Sequence, residues 1–231
     1  MSDAKPYGSW KSSVTAELIA AKEINLVSPL FSSDFLYWFE GRPLEGGRNV
    51  VVRREQTGDV TDVTPDPLSA RSRVHEYGGG TWIPDGDRVF FTEDSSQRIY
   101  CATREEAPTP ITPEPPTPGS IRYADMSMTP DGNSLVAVRE VHDGDRDVVN
   151  DLVSVAADGT VGPRSIISGC DFYSFPRVSP NGKRFLWTSW NHPQMPWDGT
   201  DLWVVDFTPD GLSAPQHVAG GVEESIFQPV W

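Results

Sequence analysis

The sequence predicts an all-β fold. It reads as a β-propeller of four complete blades and the start of a fifth, behind a short N-terminal helix. Three landmarks predict it. Pro84-Asp85-Gly86, Pro130-Asp131-Gly132 and Pro180-Asn181-Gly182 recur at spacings of 46 and 50 residues. Thr64-Pro65-Asp66-Pro67 returns as Thr112-Pro113-Glu114-Pro115, 48 residues on. Asp151-Leu152-Val153-Ser154-Val155 returns as Asp201-Leu202-Trp203-Val204-Val205, 50 residues on. Strands and turns repeating at about 40–50 residues are the signature of propeller blades.

The elements follow in order. Residues 1–23 are a lead-in. Within it, 12–22 (SSVTAELIAAK) is rich in helix formers, Val14 and Leu18 share a face at i,i+4, and Ser12 or Ser13 can cap it. This helix is expected to pack on the propeller rim. The propeller then runs over 24–231, with blades over 24–67, 68–119, 120–169 and 170–221 and a fifth begun at 222. Phe35 to Phe39 and Asn49 to Arg53 read as strands joined by a Gly-rich connection from Gly41 to Gly47, and Asp59 to Val63 as an outer strand. Each Pro-Asp-Gly is followed by an apolar run: Val89-Phe90-Phe91, Leu135 to Val138, Phe185-Leu186-Trp187. In such a turn Pro ends the inner strand, Asp or Asn bonds its own backbone, and Gly takes the positive φ the hairpin needs. Residues 107–118 (APTPITPEPPTP) read as an outer edge strand and an inter-blade connector, where Pro is tolerated because nothing pairs on that side. Phe227-Gln228-Pro229-Val230-Trp231 resembles the approach to a further turn, so the chain is expected to stop in mid-blade and to self-associate through the uncovered end faces.

Composition narrows the function classes. The formal net charge is −14, which makes nucleic acid and anionic membrane poor partners. No run is long and apolar enough for a membrane helix, and no apolar leader follows Met1, so a cytoplasmic location is expected. Cys101 and Cys170 fall in different blades and read as free thiols. No cofactor or metal is expected. His75-Glu76 lacks the second His of a zinc helix, since the fourth residue after His75 is Gly79. Asp143, Asp145 and Asp147 alternate, but a calcium loop would need Gly and Glu where Val148 and Ser154 stand, so a solvated hairpin tip is expected. The four histidines sit in four separate local contexts.

Four strings carry a family resemblance. They are Val74-His75-Glu76-Tyr77-Gly78-Gly79-Gly80, Tyr7-Gly8-Ser9-Trp10-Lys11-Ser12, Glu40-Gly41-Arg42-Pro43 with Gly46 to Val50, and Trp190 to Asp198 (WNHPQMPWD). Together they resemble the N-terminal propeller of bacterial serine peptidases of the prolyl oligopeptidase family, in the acylaminoacyl-peptidase and dipeptidyl-aminopeptidase branch. The resemblance implies a C-terminal α/β-hydrolase domain in the same polypeptide, and a propeller that restricts which short peptides reach its Ser-Asp-His triad. This chain has no Gly-x-Ser-x-Gly elbow, so it is expected to be inactive alone and no catalytic residue is assigned. The substrate-channel candidates are His75, Glu76, Tyr77 and His192. The string from Val74 to Gly80 reads as the inner strand of blade two, its glycines leaving room at the crowded axis. The alternative is a propeller of the TolB or WD40 kind that docks a protein partner without catalysis.

Overall fold

The computed structural model describes residues 5–16, 18, 23–144, 146–208 and 211–231. Its strands form four antiparallel sheets that succeed one another along the chain. The first sheet holds β1 (Asn25–Ser32), β2 (Phe35–Arg42), β3 (Arg48–Arg54) and β4 (Val60–Asp62). The second holds β5 (Trp82–Asp85), β6 (Arg88–Thr92), β7 (Ile99–Ala102) and β8 (Thr109–Pro110). The third holds β9 (Ile121–Met128), β10 (Ser134–Val141), β11 (Val149–Ala156) and β12 (Arg164–Ile167). The fourth holds β13 (Phe172–Val178), β14 (Arg184–Trp190) and β15 (Thr200–Thr208), with β16 (Gly211–Leu212) and β17 (Gln216–Gly221) both paired to β15. First strands neighbour one another, β1 beside β5, β5 beside β9 and β9 beside β13, which is the arrangement of a propeller axis.

Period-two side-chain alternation explains how the sheets stack. In β6, Val89 and Phe91 enter one core with Tyr37 and Val51 of the first sheet, while Phe90 enters another with Leu135 and Val153 of the third. In β10, Leu135 and Ala137 face back to that core, and Val136 and Val138 face forward to Tyr173, Phe185 and Trp187 of the fourth. The second strands β6, β10 and β14 are buried on both faces, so each reads as a continuous apolar run, while β2 in the first sheet is only half-buried. Full burial of such side chains is worth about 1.5–3 kcal/mol each. Cys101 and Cys170 are half-buried free thiols, and burial pushes the Cys101 thiol up to about 11.

The turn chemistry is visible atom by atom. In the third sheet the Asp131 carboxylate accepts the Thr129 hydroxyl at 2.6 Å and the Asn133 N–H at 3.1 Å, and Gly132 has φ +69°. In the fourth, Asn181 takes the Lys183 N–H at 3.0 Å and Gly182 again has φ +69°. The turns also brace neighbouring blades. The Tyr37 hydroxyl donates to the Gly86 carbonyl at 2.9 Å, and Arg88 donates to the Gly132 carbonyl at 2.9 Å. The Thr-Pro repeat has an equally local cause. Thr64 Oγ1 accepts the Val51 N–H and Thr112 Oγ1 the Ile99 N–H. Arg48 and Arg98 then donate to the carbonyls of those same threonines, each at 2.8 Å.

Several expectations change. The string from Val74 to Gly80 is not a strand. Residues 74–77 form a turn in which His75 and Glu76 have φ +56° and +67°, and the inner strand of this sheet is only the four residues of β5. Two left-handed residues in succession cannot continue a pleat. The close approach expected of the glycines does occur: a Cβ on Gly80 would stand 2.7 Å from Asp125 Oδ1. Of the helix expected over 12–22, residues 17 and 19–22 lie outside the described residues. Ala16 and Leu18 are helical, the cap is Thr15, whose Oγ1 accepts the Leu18 N–H at 3.1 Å, and Val14 and Leu18 are exposed instead of packed. Asp145 is outside the described residues too, while Asp143 and Arg146 form an exposed pair at 2.6 Å in the hairpin tip. After Gly221 the chain bridges once, Gly221 to Glu224, and then runs without a strand to Trp231, whose indole N–H reaches the Arg177 carbonyl at 3.2 Å.

Gly80→Val should lower stability by about 1–3 kcal/mol through overpacking against Asp125. Gly144→Asn, at φ +59° with nothing within 4 Å, should stay within about 0.5 kcal/mol of the parent. Urea unfolding of both variants measures the difference.

Candidate functional site

The innermost strands are irregular at one recurring place. Ser28 in β1, Asp125 in β9 and Phe175 in β13 each have φ between 52° and 54°, and each sits at or beside a register shift. Gln228 repeats the conformation at φ 51°, followed by Pro229 as Phe175 is by Pro176. Such bulges bend a strand and re-aim its side chains.

At Asp125 the result is a junction. Its side chain is 7% exposed. Oδ1 accepts the Gly80 N–H in a very short bond, and Oδ2 accepts the Phe175 N–H at 3.1 Å. The Asp125 N–H returns a bond to the Gly80 carbonyl at 2.7 Å. One carboxylate therefore ties together the approach to β5, strand β9 and strand β13. Gly79, Gly80, Asp125, Phe175, Trp190 and Phe227 enclose an apolar hollow of about 280 Å³ at the axis. Arg177 lies nearby with its guanidinium over the Phe175 ring at 5.9 Å, and burial holds its pKa below the ordinary value.

A second hollow of about 520 Å³ lies on the other side of His75, which lines both. The His75 ring is boxed by Tyr77, Phe172 and Trp190, with centroids at 5.7, 5.3 and 5.4 Å. The His75 backbone N–H donates to Glu140 Oε2 at 2.7 Å, while the ring Nε2 is buried without a partner. Burial holds the imidazole below its usual pKa of 6.5. Glu140, 2% exposed, also accepts His142 Nε2 at 2.7 Å and Arg122 at 3.1 Å. Arg122 binds Glu76 at 2.7 Å and holds that carboxyl below its ordinary range. Glu76, Glu140 and His142 bring ligand atoms within 4.8 Å of one another. The Arg122 guanidinium already bridges the two carboxylates, and a metal ion would have to displace it.

The sequence candidates thus come together in part. His75, Glu76 and His192 line the second hollow, and Tyr77 faces the first and is 62% exposed. His192 packs edge-on to Phe172 at 4.9 Å, and its N–H is held by Asp171 at 2.8 Å. Three of the four histidines, His75, His142 and His192, share one hollow although nothing in the sequence joins them. Sequence reasoning missed Asp125, Arg122 and Glu140. Asp125 and Arg122 lie on one innermost strand and Glu140 on the strand beside it, where only register reveals convergence.

No protein-family model and no curated protein matches the chain. Solved structures do. A puromycin-hydrolysing peptidase of Mycobacterium tuberculosis is 34% identical over 95% of this chain, with a TM-score of 0.86. A puromycin hydrolase is 31% identical over the same share, with a TM-score of 0.82. The chain spans 36% of the length of each. TolB from Acinetobacter baumannii, at 15% identity over 87% of this chain and 45% of its own, with a TM-score of 0.55, shares the fold.

Asp125→Ala should cost about 1–3 kcal/mol for each backbone donor left unpaired, and Asp125→Asn less, as read by thermal unfolding. His75 should titrate below 6.5 by NMR. Its folded form then binds fewer protons than its unfolded form, so its contribution favours folding above pH 6.5 and is lost as pH falls below it. His75→Phe should flatten that part of the stability profile.

Proposed function

Because this chain belongs, as a β-propeller portion, with the serine peptidases of the prolyl oligopeptidase family, we propose that it gates a catalytic α/β-hydrolase domain in the same polypeptide. The whole enzyme would hydrolyse short peptides, or amides of the size of puromycin, in the cytosol, releasing amino-terminal residues. The single observation that supports this best is the 34% identity to a puromycin-hydrolysing peptidase over 95% of the chain, at a TM-score of 0.86. The geometry adds a reason for gating. Bulged innermost strands leave an apolar hollow at the axis, and His75, Tyr77 and Trp190 stand around it. In this reading those side chains admit an extended short chain and reject a folded one. His75, Glu76, Tyr77 and His192 act in this reading by contacting the peptide on its way to the catalytic centre, not by chemistry.

Two measurements test it. Residues 1–231 alone should neither hydrolyse aminoacyl or peptidyl chromogenic substrates nor react with a fluorophosphonate, since these residues contain no Gly-x-Ser-x-Gly elbow to activate a serine. A chimera in which residues 1–231 replace the matching portion of the Mycobacterium tuberculosis peptidase should hydrolyse puromycin. In that chimera Trp190→Ala should raise kcat/KM for longer peptides severalfold relative to puromycin. Unchanged relative rates would remove the gating role.

A further inference from the structure

We infer that the second hollow, lined by Asn150, Asp147, Asp171 and Phe172 beside His75, is a binding site for a basic side chain, lysine or arginine, of a peptide. That the ligand is a peptide rests on the peptidase-propeller reading above; that it is cationic rests on the hollow itself. Four carboxylates line it: Glu76, Glu140, Asp147 and Asp171. The first two are already committed. Arg122 bridges them, and Glu140 also holds the His75 N–H and His142. Asp147 and Asp171 have no Lys or Arg partner among the described residues. They leave two uncompensated negative charges facing one concave surface.

An independent observation points to a donor-bearing ligand. Asn150 is 3% exposed and borders the hollow. Its Nδ2 donates to the Asp171 carbonyl at 2.8 Å, which fixes the orientation of the amide. Its Oδ1 is then a buried acceptor with no partner. A buried carbonyl oxygen left unpaired is costly, and an N–H from a ligand would satisfy it. Lining chemistry also favours a long side chain over a bare amine. The hollow of about 520 Å³ has apolar wall from Phe172 and Val148 as well as its acids. An alkyl stem can lie on the ring while the charged head reaches Asn150, Asp147 and Asp171, whose Oδ2 accepts only the neutral His192 N–H. A peptide amino terminus, carried directly on the backbone, would have to bring the backbone itself inside.

The test uses the 231-residue chain and three probes in saturation-transfer NMR. N-acetyl-arginine amide carries charge only on its side chain, N-acetyl-norleucine amide carries none, and norleucine amide carries a free α-amine on a neutral side chain. The arginine probe should bind, at least tenfold more tightly than either of the others, and more weakly as salt rises. Asp147→Asn should weaken it severalfold, and Asp147→Asn with Asp171→Asn at least tenfold, with unfolding midpoints checking that both variants fold. Preference for norleucine amide, equal binding of all three, or an arginine affinity unchanged in the folded double variant would each overturn the inference. None of these outcomes depends on hydrolysis, so failure here and failure of the gating role are read separately.

Discussion

The buried carboxylate of Asp125 is the interaction on which the axial region depends. Propeller blades are held side by side mainly by non-directional apolar packing, which does not by itself set how closely the inner strands approach. Asp125 supplies direction. Its two oxygens bind backbone donors of the preceding and following blades, Gly80 and Phe175. A carboxylate can do this because it accepts from two sides at once, and charge-assisted bonds to backbone N–H groups are stronger than neutral ones. The left-handed backbone at Asp125 aims the carboxylate along the axis instead of across the sheet, and glycine at position 80 is the room it needs.

From that junction the two hollows follow. The turn over 74–77 leaves the ladder, swings His75 across the gap between the second and fourth sheets, and is anchored there by Glu140 and Arg122 of the third. His75 becomes a partition with an apolar chamber on one side and an acidic one on the other. The ion cluster of Glu76, Arg122, Glu140 and His142 is itself nearly saturated, so its work is to hold the partition. Hydrogen-bonding capacity or charge is left over at Asn150 Oδ1, Asp147 and Asp171 on the same hollow. The side chains of Asn150, Asp147 and Asp171 make none of the hydrogen bonds that anchor the 74–77 turn, which is a reason to expect that this wall can vary without loss of the fold.

Much of the fold was legible because its causes are local. Pro-Asp-Gly marks a turn wherever it stands, since ring, carboxylate and φ act within a few residues. Thr64-Pro65 and Thr112-Pro113 mark the outer strand because the threonine hydroxyl and carbonyl close the ladder edge to Val51 and Ile99 and to Arg48 and Arg98. The candidate site was legible only as a string of unusual residues. Val74 to Gly80 stood out, and its glycines signalled close approach, but it was read as a strand. Nothing in its composition reports that His75 and Glu76 turn left-handed, because that conformation is held by Glu140, 65 positions away, through the His75 N–H.

What the sequence determined by itself is the all-β class, the repeat and the position of each turn, because hydrophobic alternation and turn chemistry are short-range and repeat from blade to blade. It also determined that the nucleophile elbow of the family is not within these residues. What only the tertiary structure decided is convergence. Three histidines from three blades meet in one hollow, a single aspartate stitches three blades, and an arginine neutralises glutamates of two. Each of those groupings draws in residues from different blades, and a sequence pattern carries no record of which side chains the stacking of sheets will bring face to face.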